Sequence, residues 1–314
     1  MRPETGWGVL ATMIRGYTGL LCWTILAGLG MYSCSIALAG VGAWVVGLAV
    51  TGAGAAELWP WLFLLAGLTV PLAVFPWLDL TLAHVFAFHV LADMRIKIYD
   101  AFERLAPGYM IERRSGDLGT AAMGDVELLE LGLSHTLPPL IVAAIIPVGV
   151  LIFLWRQHPW PAATIAPFLA AGFILPLVLE RKSNGAGRRV RTHVGLAGAE
   201  VVDAIQGLRE VLAFGAQQTE LERLGRYEEK LYRAQLDHGR TKSWQLGVDH
   251  LLAGLAAVSV AAVSCLLVAR GEIPRAMLPV CVTLAASTFM PLHTLMEAGR
   301  NFPIVISAMN RIQA

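Results

Sequence analysis

Residues 59–108 read WPWLFLLAGLTVPLAVFPWLDLTLAHVFAFHVLADMRIKIYDAFERLAPG, and this stretch decides the fold. From Trp59 to His84 it holds a single acid, Asp79, among apolar residues. A helix needs about 20 such residues to cross about 30 Å of hydrocarbon. From His84 to Ala106 the apolar positions Phe88, Leu91, Ile98, Phe102 and Leu105 keep helical spacing. They now alternate with Arg95, Lys97, Asp100, Glu103 and Arg104. One helix therefore leaves the membrane and runs on as an amphipathic arm until Pro107-Gly108 stops it.

Working outward, five further stretches are long and apolar, so the spans read 18–50, 59–84, 131–155, 161–179, 251–269 and 277–296. The first is too long for one crossing and too short for two plus a turn, which predicts one helix projecting past the headgroups. Two charged segments are far longer than every other connection, 85–135 and 181–247. The remaining links, Thr51–Leu58, Arg156–Trp160 and Arg270–Ala276, are short. The chain of 314 residues is 56% hydrophobic and only 15% charged, with mean hydropathy +0.61. That composition excludes an ordinary soluble domain. The fold class expected is an all-α membrane protein of six transmembrane helices with two long helical arms.

Charge sets the orientation. Of 24 Lys and Arg, only Arg156, Arg270 and Arg275 lie in the short links; the arms and chain ends hold the rest. Short loops poor in Lys and Arg face outward, which puts the arms and both termini in the cytoplasm, as in a bacterial plasma membrane. Residues 1–16 read as an interfacial helix anchored by Trp7. A net charge of +1 gives no argument for nucleic acid as a partner. Cys22, Cys34, Cys265 and Cys281 all sit inside apolar spans and read as small buried hydrophobes.

The first arm turns at Ser115-Gly116-Asp117, and helical pattern resumes through Met123, Val126, Leu129 and Leu133 into the third span. In the second arm, Val194–Ile205 carries an apolar stripe and Gly207–Ala216 forms the turn. Leu221, Leu224, Tyr227, Leu231 and Leu236 lead back, with Glu222/Arg226 and Glu229/Arg233 at i,i+4.

On these residues a resemblance rests. Arg95–Tyr99, Phe102-Glu103-Arg104-Leu105, Arg114-Ser115-Gly116-Asp117-Leu118 and Asp125-Val126-Glu127 resemble the first intracellular loop of ATP-binding cassette (ABC) exporters. Gly207–Gln217 resembles their second loop. Ser307-Ala308-Met309-Asn310-Arg311-Ile312 resembles the point where their sixth helix leaves for the nucleotide-binding domain. The Arg-Ser-Gly-Asp-Leu version is also similar to the branch of the thiol-exporting transporter for cytochrome bd assembly. The resemblance implies one transmembrane domain over 1–314 and a second such domain as homo- or heterodimer partner. It implies alternating access driven by a nucleotide-binding domain, fused downstream or separate, which carries ATP and Mg. It places Tyr109, Met110, Arg113, Val211, Phe214 and Gln217 at the contacts with that domain, on the segments Tyr109–Arg113 and Val211–Gln217.

The chain departs from complete exporters in one respect: it contains no G-x-x-x-x-G-K-[ST]. It has no backbone cradle for phosphates and is not expected to hydrolyse ATP by itself or to hold a cofactor. Ionisable residues near the spans, Asp79, His135, Asp249, His293, Glu297 and Arg300, are candidates for a polar ring at the inner mouth of a translocation path. Read instead as headgroup-depth groups, they would only meet water. His84 and His89, at i,i+5, align poorly on a helix, and no metal site is expected from them. No catalytic constellation is visible. The competing function is a secondary transporter or channel, which would need coupling charges at the midplane.

Overall fold

The computed structural model describes residues 6–106, 108 and 119–313. It describes side chains throughout these except at 6, 7, 9, 121, 176–184, 293, 295–300, 302, 303 and 313. Among the described residues every regular element is a helix. The elements are α1 (Gly6–Gly16), α2 (Thr18–Val50), α3 (Ala55–Leu105), a π-helical turn (Thr120–Asp125), α4 (Val126–Leu128), α5 (Glu130–Leu133) and α6 (Leu137–Gln157). They continue as α7 (Pro159–Gln206), α8 (Leu208–Ala213), α9 (Gln217–Ala269), α10 (Met277–Ser287) and α11 (Met290–Gln313). By length and composition, α2, α3, the stretch Ala122–Gln157 and α9 can each cross a membrane. The apolar stretches Pro159–Leu175 and Met277–Leu292 are shorter.

α3 runs unbroken from the apolar stretch into the charged one. It ends where it does because Ala106 precedes Pro107, whose ring excludes helical backbone from its neighbour; Ala106 sits at φ −68° and ψ 149°. α2, α8 and α9 end by a shared device. Gly52, Gly215 and Gly271 take φ of +88°, +61° and +75°. The next residue then donates its N–H back five positions, as from Ala53 to the Leu48 carbonyl at 3.0 Å and from Glu272 to Leu267 at 2.9 Å.

Proline moves two expected boundaries. The third span was expected at 131–155, continuous with the helical pattern from Met123; instead residues 134–136 form a turn and α6 starts at Leu137. Pro138 and Pro139 have no N–H, so the carbonyls of Ser134 and His135 lose their helical donors. The expected sixth span, 277–296, is likewise two helices, broken at Thr288 and Phe289. There Pro291 withholds a donor from the Ser287 carbonyl, and the Thr288 hydroxyl bonds back to the Leu284 carbonyl. Pro71, Pro76 and Pro147 leave their helices uninterrupted.

The chain divides into two compact units. One holds residues 1–173 and 252–314. Its main core joins Tyr32 and Ile36 of α2, Val142, Ile146 and Val150 of α6, Ile165 of α7, Val260 of α9 and Phe289. Of the four cysteines only Cys281 is buried; Cys22 and Cys265, expected inside, are exposed. In lipid there is little hydrophobic drive between helices, so close approach matters. A Cβ on Gly47 would lie 2.3 Å from the Ala276 carbonyl oxygen, so only glycine lets α2 pass there. A second core, at the base of the first arm, joins Leu10 and Met13 of α1, Phe86, Val90, Leu91 and Met94 of α3, Val126, Leu129 and Leu133, and Val305, Ala308 and Met309 of α11. The Tyr17 hydroxyl donates to Asp93 at 2.8 Å, and that bond to a carboxylate pushes the phenol's pKa up.

The other unit is Ile174–Leu251. Within it α7 and α9 run antiparallel: Glu200 meets Arg223, and Gly187 faces His238 further back. Arg233 donates to Glu229 at 2.6 Å, while Glu222 accepts from Gln218 at 3.4 Å. The stripe 194–205 is largely uncovered: Ala197 and Glu200 are buried, but Val194, Val201, Val202 and Ile205 are exposed.

Candidate functional site

In the second unit the candidate site is the short helix α8. Gly207 breaks the helical run after Gln206, and Gly215, just past Phe214, closes α8. The Ala216 N–H reaches the Val211 carbonyl at 2.9 Å, and the Gly215 N–H reaches Leu212 at 3.3 Å. A compact element results, and its apolar residues point outward. Phe214 is 84% exposed and Leu212 57%, with Leu208 and Ile205 beside them in sequence and also exposed. Val211 is half-buried and Gln217 exposed. The segment expected at Val211–Gln217 is thus shifted: the short helix is Leu208–Ala213, and Gln217 already begins α9. Exposed apolar side chains on so short a helix do nothing for its own fold, and they have the chemistry of a docking element.

In the first unit the corresponding candidates, Tyr109, Met110 and Arg113, lie outside the described residues. What is described is the base of that arm. Asp125, 5% exposed, accepts from Arg311 Nε at 3.0 and 2.9 Å and from Nη2 at 2.6 Å. Arg311 Nη1 also donates to the Ser307 hydroxyl at 2.7 Å. The hydrogen bond to Asp125 raises the pKa of Arg311 further, so its charge is permanent. Arg95 pairs with Glu127, two residues beyond Asp125. Two separately read motifs, Asp125-Val126-Glu127 and Ser307–Ile312, are therefore one contact between the arm and the last helix. Sequence reading missed the partnership because 186 residues separate Asp125 from Arg311.

The residues expected to form a polar ring fall as follows. Asp79 and His135 are electrostatic neighbours, and a Cβ on Gly28 would lie 3.0 Å from Asp79 Oδ1, which places that carboxylate against α2. Asp249 is buried in the second unit. The backbone of His293, Glu297 and Arg300 is helical, but their side chains lie outside the described residues. Two groups join that were not in the expected set. His84 Nε2 is 3.4 Å from Glu130 Oε1, and His135 Nε2 is 3.5 Å from the same atom. His89 is turned elsewhere, its Nδ1 2.7 Å from the Val85 carbonyl and its ring against Tyr17.

An apolar cavity of about 760 Å³ opens in the first unit between α2, α3, α6 and α10. Ser33, Ile36, Trp44, Trp61, Phe153 and Met277 are on its wall, and the Trp44 and Trp61 rings meet edge-on at 6.0 Å.

Comparison with known proteins bears on these features together. The family model described as ABC transporter transmembrane region matches residues 20–292. A probable ABC transporter ATP-binding/permease protein of Haemophilus influenzae is 28% identical over 149 residues, 47% of this chain and 27% of that protein. The multidrug resistance-like ATP-binding protein MdlA of Buchnera aphidicola is 20% identical over 171 residues, 53% of this chain and 29% of that protein. An ATP-dependent lipid A-core flippase of Shewanella is 24% identical over 144 residues, 45% of this chain and 24% of that protein. The matched part of this chain spans under a third of the length of each of these relatives. With its match running from α2 into α11 on an all-helical frame of apolar spans, the chain belongs to the family of ABC transporter transmembrane regions, as an integral membrane protein.

Proposed function

We propose that this chain is the membrane-spanning part of an ATP-driven exporter of a small or amphipathic molecule. The observation that carries the reading is the family match on a chain whose α8 exposes Leu208, Leu212 and Phe214. ATP and Mg bind a nucleotide-binding domain, and α8 seats in a groove of that domain together with the tip of the first arm near Tyr109, Met110 and Arg113. Nucleotide-driven closure moves the arms, and the rigid helices switch the cavity from inward- to outward-facing. The chain crosses a bacterial plasma membrane six times with both termini cytoplasmic. It works as a dimer with a second transmembrane domain, whose helices cover the exposed stripe at Val194, Val201 and Val202. The apolar cavity wall suits an amphipathic cargo, as does the flippase similarity.

Phe214→Ala tests this. An aromatic anchor in a partner's groove is worth about 2 kcal/mol or more on truncation. In vesicles holding the chain with its nucleotide-binding domain, the variant is expected to uncouple ATP hydrolysis from transport and to leave substrate affinity unchanged. Weakened substrate binding with coupling intact would overturn the reading.

A further inference from the structure

We infer that His84, Glu130 and His135 form a binding site for one divalent transition-metal ion of the zinc type, with a fourth coordination position open. Their ligand atoms lie within 4.8 Å of one another. They come from three places: α3, α5 and the turn that Pro138 and Pro139 force before α6.

The spacing of each imidazole from Glu130 suits a shared ion better than a hydrogen bond. Charge-assisted N–H···O bonds run about 2.7–2.9 Å, whereas both imidazoles stand off Glu130 Oε1, at 3.4 and 3.5 Å. Tetrahedral zinc with bonds of about 2.0–2.1 Å sets neighbouring ligand atoms about 3.3–3.4 Å apart. The donors are also oriented. His84 Nδ1 is 2.8 Å from the Leu80 carbonyl. A carbonyl only accepts, so Nδ1 carries a proton, and in the neutral imidazole Nε2 is the nitrogen left to bind a metal. The Ser134 hydroxyl reaches Glu130 Oε1. Such outer partners are what metal-bound imidazoles and carboxylates ordinarily have. The Glu130 side chain is only 16% exposed, and a cation offsets the cost of burying its charge. His135 is the more exposed histidine and leaves a way in from water. Imidazole and carboxylate together favour zinc, cobalt or nickel over magnesium or calcium. A bound ion would tie α3 to the start of α6. The site stands whether or not the chain serves an exporter.

The test uses the full chain in mild detergent, stripped with a chelator and titrated with Co²⁺, then with Zn²⁺ in competition. The expected result is about one Co²⁺ per chain with the strong visible absorption of a tetrahedral ion, displaced by Zn²⁺. Loss of an outer partner costs about 10–100-fold in affinity, and loss of a ligand in His84→Gln, Glu130→Gln or His135→Gln is expected to cost at least that. His89→Gln, outside the trio, should bind as the parent does. Absence of micromolar binding by the parent chain overturns the proposal. So does unchanged affinity in His84→Gln and His135→Gln.

Discussion

At the scale of the residue, the arm base turns on one guanidinium. Asp125 is buried and takes three bonds from Arg311, so the two groups stand or fall together. Arg311→Ala would leave a buried carboxylate unpaired, at a cost of about 1–3 kcal/mol. The melting temperature of the detergent-solubilised chain is expected to fall, and adding Asp125→Asn should recover part of the loss. An unchanged melting curve would show that Arg311 does not hold the arm. Asp125 and Arg311 are both plain in the sequence, each within its own motif. Their pairing was not legible, because no local spacing links two residues so far apart in the chain.

At the scale of the element, α8 is a six-residue helix held between two glycines. Nothing lies within 4 Å of a Cβ on Gly215, so its substitution meets no clash, only the left-handed backbone at φ +61°. Gly215→Ala should therefore cost about 1 kcal/mol, from backbone strain alone. Faster amide exchange through Leu208–Ala216, with the rest of the chain unaffected, is the expected readout. Unaltered exchange would mean that the helix end does not depend on Gly215. The glycines themselves announced a turn here, but the start of the short helix at Leu208, ahead of Val211, did not show in the pattern. So short a helix holds too few apolar positions for a period to be read.

At the scale of the whole molecule, the proposed topology puts the short links outside. In a chain with its four cysteines replaced, single cysteines at Gly54, Gln157 and Arg275 should react with an impermeant thiol reagent in intact cells. A cysteine at Phe214 should react only after permeabilisation. Protection of the first three in intact cells would reverse the orientation. The proposed dimer predicts two membrane chains per particle in nanodiscs; a transport-competent particle with one would exclude it.

By itself, the sequence determined the all-helical class, the apolar stretches, the continuous run of α3 into its arm and the family resemblance. Each of these depends on local composition and period, which a chain carries wherever it folds. Only the tertiary structure decided the break before α6 and the interruption at Thr288 and Phe289, since many prolines lie in these stretches and only some end a helix. It alone paired Asp125 with Arg311, and brought His84 and His135 to one carboxylate. Those contacts join residues that no local period relates, and their distances are set by how the helices pack.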